Sequence, residues 1–325
     1  MLAVPDLDDC RAAARTLGDR IHRTPVFSSR TLGERIGREV SLKTELFQRT
    51  GSFKLRGAIN RAAAIGPAER SAGVVTASAG NHAQAAALAC AEAGIDVVVF
   101  MPSGASATKV AATRGYGATV DLESRDGTEC LARMASFARE TGRTVLHPFD
   151  DPLVIAGAGT VGLEIADQVP APALVIVPAS GGGLLAGVAI AVKSLVPGCR
   201  IVAAQPERSA TLRASARGAA AAGPDQPRGA TIADALTAPA IGELNLRVCE
   251  ALVDEVVHVS EEEIAEGVRF LYARTKLACE AGAAVGVAAL LAGRVSELPD
   301  GTVVAVVSGG NITPQAAASI LAADG

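Results

Sequence analysis

The feature that most limits this chain is a rhythm. From Val74 onward, short apolar runs rich in valine alternate with longer alanine-rich stretches. Runs at 74–77, 97–100, 118–120 and 144–146 read as strands, with helices at 81–93, 106–114 and 127–140 between them. The same beat returns with strands at 174–177, 200–203 and 303–307. A strand that is apolar on both sides leaves no face for water, and a connection long enough to hold a helix brings the next strand back parallel. The pattern therefore predicts parallel sheet covered by helices on both faces. Ahead of it, residues 6–20 have helical spacing, Thr24-Pro25 breaks the chain, and 28–36 reads as a short helix. A strand at 40–43 and a helix reaching about Ile65 follow. Residues 214–229, rich in Ala, Gly and Pro, are the expected surface excursion.

Bulk properties exclude several functions. A net charge of −4 without a basic block gives no nucleic-acid footprint. The absence of tryptophan also removes the usual platform for stacking bases. No apolar run is long and charge-free enough to span a bilayer, and the first residues carry no export signal. Six scattered cysteines lack metal or redox spacing and read as reduced thiols of a cytoplasmic protein. His22, His82, His147 and His258 likewise show no ligand spacing, so no metal site is expected. The acidic run Glu261-Glu262-Glu263 after Ser260 reads as a helix start.

Chemistry concentrates where strands end. In Thr50-Gly51-Ser52-Phe53-Lys54-Leu55-Arg56-Gly57-Ala58 a lysine sits beside an aromatic ring among small residues. Once buried, its amine loses its proton and attacks a carbonyl, which arginine cannot do; left in water, it is an ordinary helix-start lysine. Ser78-Ala79-Gly80-Asn81-His82 follows a strand and opens a helix, so free N–H groups and the helix dipole offer a seat for a carboxylate. Ser180-Gly181-Gly182-Gly183-Leu184 lets consecutive N–H groups converge on an anion such as a phosphate. Ser308-Gly309-Gly310-Asn311 ends the last strand at the same sheet edge, where open parallel sheets bind ligands. The run Gly157-Ala158-Gly159-Thr160-Val161-Gly162 satisfies the dinucleotide spacing, but it falls inside a helix that Asp150 or Asp151 caps. A nicotinamide site is therefore rejected.

These segments, in this order, resemble the pyridoxal-phosphate enzymes of the tryptophan-synthase-β fold type, within them the threonine/serine dehydratases and serine racemases. Thr24-Pro25, Lys109, His147-Pro148, Gly159-Thr160 and Glu280 belong to the same resemblance, which runs nearly end to end. It implies two open, mainly parallel sheets flanked by helices, with pyridoxal 5'-phosphate in the cleft between a large domain (1–70 and 147–325) and a small one (71–146). It implies that Lys54 holds the cofactor as an imine and shuttles the α-proton, that Phe53 packs on the ring, and that Asn81 bonds its phenolic oxygen. Ser180, Gly181, Gly182, Gly183 and Leu184 would cradle the phosphate, Ser308 would face the pyridine nitrogen, and Glu280 would lie near the ring. The turn Ser78, Ala79, Gly80, Asn81, His82 would hold the substrate carboxylate. A neutral serine hydroxyl does not keep the ring nitrogen protonated, which favours loss of a β-hydroxyl over transamination.

The match departs in places. Racemases carry a second serine where this chain has Ala79, and a methyl group moves no proton. Ligands for a divalent cation in some relatives fall here on Gln205 and Thr211, a poor set for a hard ion. Ser180 stands where glycine is common, still offering its N–H and a hydroxyl. Glu123-Ser124-Arg125 resembles relatives whose arginine reaches a second substrate carboxylate. The expected function is a pyridoxal-phosphate-dependent threonine/serine ammonia-lyase acting on a small β-hydroxy amino acid, as a homodimer. A 3-hydroxyaspartate dehydratase, a serine racemase and a non-catalytic binder on the same fold are the alternatives.

Overall fold

Every residue of Leu174–Pro178 and of Val303–Val307 is buried, which only the centre of a two-sided sheet allows. The computed structural model describes residues 2–214, 220–222 and 229–322. Among these, the strands in chain order are β1 (Val26–Ser28), β2 (Val40–Thr44), β3 (Val74–Ala77), β4 (Val97–Pro102), β5 (Thr119–Ser124), β6 (Thr144–Val145), β7 (Leu174–Pro178), β8 (Arg200–Pro206), β9 (Leu212–Ala214), β10 (Ala220–Ala222), β11 (Glu255–Val259) and β12 (Val303–Val307). They build two main sheets, not one: a six-stranded sheet in the order β1-β2-β12-β7-β8-β11 and a four-stranded sheet in the order β5-β4-β3-β6. All pairings in both are parallel except β1 with β2. β9 and β10 form a separate antiparallel ribbon that begins two residues before the excursion expected at 214–229, of which 215–219 and 223–228 lie outside the described residues.

The period of two along each strand sorts side chains into two cores. Val303, Ala305 and Val307 join Leu42 and Ile176 against the helices Ala281–Leu291 and Glu261–Phe270. Val304 and Val306 join Val175 and Val177 against the helices Pro152–Gln168 and Gly183–Leu195. In the smaller sheet Val97 and Val99 face the helix Asn81–Glu92, whereas Val98 and Phe100 face Cys130 and Met134 of the helix Gly127–Thr141. The two sheets are tied together by Leu55, Ala58, Ile59 and Ala62 of the helix Lys54–Ala63, which pack on Ala85 and Ala89 of Asn81–Glu92.

The dinucleotide-like glycines are explained by packing. They lie inside the helix Pro152–Gln168, where Asp151 caps the first turn by accepting from the N–H groups of Leu153 and Val154. A Cβ on Gly157 would stand 2.7 Å from the Arg56 carbonyl oxygen, and one on Gly162 would stand 3.0 Å from that of Val188. Glycine lets this helix cross its neighbours at backbone contact. Asp150, the other capping candidate, caps the helix Glu243–Leu252, accepting from Glu243, Leu244 and Asn245 N–H groups.

Beneath the start of Lys54–Ala63 lies a buried ionic cluster. Arg56 and Glu45 are both 0% exposed and bond twice, each contact 2.8 Å. Arg56 also bonds Glu164 at 2.7 Å and Thr160 at 3.1 Å, and buried Lys43 pairs with Glu164. The two positive and two negative charges cancel, as burial of ions requires. The cluster fixes the Lys54 helix to β2 and to Pro152–Gln168.

Candidate active site

Lys54, Ser308 and Ser180 follow β2, β12 and β7, three adjacent strands, so the topology gathers them at one sheet edge. The segment before Lys54 is then stapled to the loop after β12. Phe53 N–H donates to the Ser308 carbonyl at 3.1 Å, and Gly310 N–H donates to that of Gly51 at 2.8 Å. Gly51 must be glycine, since its φ is +74° and a Cβ would sit 2.4 Å from Asn311 Oδ1.

Lys54 is the first residue of its helix and is half-buried. Its ammonium donates to the Pro148 carbonyl at 2.7 Å and lies 5.1 Å from the Phe53 ring centre and 5.9 Å from that of Phe149. Burial pulls its pKa down to about 8, against the opposing pull of Glu280. A substantial fraction of neutral amine therefore exists near physiological pH. Glu280, 5% exposed, is pushed up to about 7 by burial, which its hydrogen bond from Asn81 only partly opposes.

Asn81 opens the helix Asn81–Glu92 and joins the two sheets. Its Nδ2 donates to Glu280 Oε1 at 2.7 Å and its Oδ1 accepts from Asn311 Nδ2 at 2.7 Å, while Asn311 also donates to the Thr50 carbonyl. With the acceptor end of the Asn81 amide occupied, its remaining free proton is on nitrogen. The turn before it is held locally, Gly80 N–H donating to Ser78 Oγ at 3.2 Å. Beside it, Lys109 of the smaller sheet's layer pairs with Asp234 at 2.7 Å.

The glycine turn after β7 is set against Phe149. A Cβ on Gly181 would fall 2.4 Å from the Phe149 ring, and one on Gly183 2.9 Å from the Phe149 carbonyl oxygen. Gly182 has a φ of +93° and caps the helix Gly183–Leu195, whose first-turn N–H groups have no partner within the helix. Ser180 uses its hydroxyl elsewhere: Oγ accepts from Ala238 N–H at 3.0 Å. The Gln205 amide and Thr211 hydroxyl bond one another at 2.9 Å, and among the described residues no group of carboxylate, histidine or cysteine ligands exists for a metal ion.

Two predicted residues stand apart. The His82 side chain turns into the smaller sheet's core, its Nε2 within reach of Thr76 Oγ1 (3.1 Å) and the Leu146 carbonyl (3.2 Å). Burial drops its pKa to about 3, so it stays neutral. What His82 offers the turn is its backbone. Arg125 follows edge strand β5, is 85% exposed and pairs with Glu129 at 2.9 Å. Its side chain is not brought to Lys54.

Phe149, Asn245, the bond from Lys54 to the Pro148 carbonyl and the Gly51–Asn311 contact were not foreseen from sequence. Asn245 alone left a trace there, a buried polar residue on the apolar stripe Leu244, Val248, Cys249.

The arrangement has what a phosphorylated aldehyde needs: a desolvated amine, aromatic walls, and a turn of glycines at a helix N-terminus. The profile of the pyridoxal-phosphate dependent enzyme family matches residues 17–309. The chain belongs to that family. Among its relatives, the L-threonine ammonia-lyase of Thermotoga maritima is 42% identical, the alignment covering 94% of this chain and 75% of the relative. The catabolic L-threonine dehydratase of Escherichia coli is 40% identical over 94% of this chain and 93% of its own. Of the solved structures, maize serine racemase superposes with a TM-score of 0.90 at 36% identity, covering 96% of this chain and 95% of its own. The processed form of threonine deaminase isoform 2 from Solanum lycopersicum gives 0.86 at 29% identity, covering 98% of this chain and 94% of its own. Family members use pyridoxal phosphate, and the residues around Lys54 fit it.

Proposed function

We propose that the protein is an ammonia-lyase that removes the β-hydroxyl from L-threonine or L-serine to give a 2-oxo acid and ammonia. The observation that carries this reading is the meeting of Lys54, whose lowered pKa leaves a usable share of neutral amine, with Asn81, Glu280 and the glycine turn, beside a turn whose second residue is Ala79. Pyridoxal phosphate, when bound, supplies an electron-withdrawing ring that makes the Cα proton removable. Lys54 holds the aldehyde and moves that proton, its depressed pKa keeping it a usable base. Gly181, Gly182, Gly183 and Leu184 bind the phosphate through N–H groups, and Ser180 closes the turn from behind with its hydroxyl on Ala238. Phe53 would wall the ring, Ser308 would stand toward its nitrogen, and the free Asn81 amide N–H would donate a hydrogen bond to the phenolic oxygen. N–H groups of Ala79, Asn81 and His82 seat the substrate carboxylate at a helix N-terminus, while Ser78 and Gly80 shape the turn, their own N–H groups taken by the Phe100 carbonyl and by Ser78 Oγ.

Ala79 favours elimination over racemisation, since no hydroxyl there returns a proton to the opposite face. The exposed, Glu129-paired Arg125 removes the support for a 3-hydroxyaspartate substrate. We place residues 1–70 with 147–325 in the larger domain and 71–146 in the smaller, which share the crevice. Six buried free thiols support a reducing, cytoplasmic setting. Exposed Phe27 on edge strand β1 and Phe47 just after β2, packed edge to face at 6.1 Å, support a homodimer. Incubation with L-threonine, L-serine and 3-hydroxyaspartate, scoring oxo acid, ammonia and D-amino acid, tests the reading. Oxo acid and ammonia from the first two are expected. D-serine as the main product would overturn it.

A further inference from the structure

The glycine turn is gripped on the side away from its free N–H groups. Thr211 Oγ1 donates to the Ser180 carbonyl at 2.6 Å. Asn245 Nδ2 donates to the Gly181 carbonyl at 2.8 Å and to the Phe149 carbonyl at 3.0 Å. Gly242 N–H adds a second bond to Gly181 O at 3.1 Å. Both side chains are buried, Thr211 3% exposed and Asn245 0%. Two carbonyl acceptors require the NH₂ end of the Asn245 amide to face them. Thr211 is itself oriented, because its oxygen accepts from Gln205 Nε2 at 2.9 Å and so sends its own proton to Ser180.

All described peptide bonds are trans, and in a trans peptide the C=O and N–H point in opposite directions. Holding the Ser180 carbonyl back therefore turns Gly181 N–H forward. Holding the Gly181 carbonyl back does the same for Gly182 N–H. Glycines are free to rotate these planes, and a plane turned the wrong way would present a carbonyl oxygen to an anion. We propose that Thr211 and Asn245 are positioning residues for the cofactor phosphate, fixing from behind the two peptide planes whose N–H groups bind it. This rests on the assignment of the glycine turn as the phosphate seat. Neither residue touches the cofactor; each acts through a carbonyl.

The test compares pyridoxal phosphate with pyridoxal, which has the same ring and aldehyde but no phosphate. Apoenzyme is titrated with each and binding is followed by absorbance and fluorescence. Thr211→Val and Asn245→Ala are each expected to weaken pyridoxal phosphate by about tenfold, the lower end for a hydrogen bond to a charged acceptor. Pyridoxal should change less than about twofold, and Thr211→Ser, which keeps the hydroxyl, should restore wild-type binding of both. Equal weakening of the two ligands would reduce both residues to general supports of the fold and overturn the proposal, as would no weakening of either. Wild-type apoenzyme that binds both ligands equally would instead remove the phosphate seat itself, and that outcome is read before any variant is made.

Discussion

Replacing Arg56 by methionine tests whether the buried ionic cluster holds the Lys54 helix in place. Methionine keeps most of the volume but deletes both bonds to Glu45 and those to Glu164 and Thr160. Glu45, 0% exposed, then keeps only Thr24 Oγ1 and the more distant Lys43. Breaking a buried pair from one side costs about 3–5 kcal/mol, because the remaining charge is left without compensation. For a chain of this size that lowers the thermal midpoint by roughly 4–7 °C. The pH dependence should also reverse. In the wild type, burial raises the Glu45 pKa, but Arg56 overrides it and holds the carboxyl below its ordinary value. Its contribution is thus present above the unfolded pKa and lost as pH falls through the folded one. Without Arg56 burial dominates, the folded pKa rises above the unfolded one, and the folded state binds more protons. The variant should therefore regain stability as pH falls from about 8 toward 5, narrowing the gap to wild type. Denaturant melts of both proteins across that range measure it. A gap under about 1 kcal/mol, or one that is flat with pH, would refute the reasoning.

Gly181→Ala would drive a methyl group into the Phe149 ring, so apoprotein should fold yet bind pyridoxal phosphate at least about tenfold more weakly by titration. Retained affinity would show that the turn has slack. Gly157→Ala meets backbone at 2.7 Å on the facing helix and should cost about 1–3 kcal/mol in chemical melts, much more than an alanine substitution gains in an open helix. Because burial lowers the Lys54 pKa to about 8, capture of the aldehyde by apoenzyme should quicken with pH and level off above about pH 8 in stopped-flow absorbance. A rate still climbing toward pH 10 would mean an ordinary, solvated lysine.

How much of this was legible beforehand differs by feature. Apolar strands and alanine-rich helices announced themselves, because burial on both faces leaves runs such as Val303–Val307 with no polar residue. The division into two sheets was not written in that rhythm and came only with the family resemblance. β11 escaped notice since His258 interrupts a short apolar run. The glycine and Asn81 turns were visible because their residue types cost stability unless a ligand needs them. Phe149, Asn245 and the partner of Asp150 were not, since each acts through a contact set by chain folding across 93 to 96 residues, which local spacing does not encode. His82 shows the opposite limit: its place in the motif was plain, but the direction of its side chain depends on Thr76 and Leu146 behind it.

All of the chemistry proposed for this site requires that one amine, Lys54, carry the cofactor. Borohydride reduction of the purified holoenzyme, followed by peptide mapping, tests it most directly. The yellow colour should bleach and a single pyridoxyl label should appear on Lys54. A label on Lys43, Lys109, Lys193 or Lys276 with Lys54 unmodified, or a colourless protein that takes up no cofactor, would contradict it.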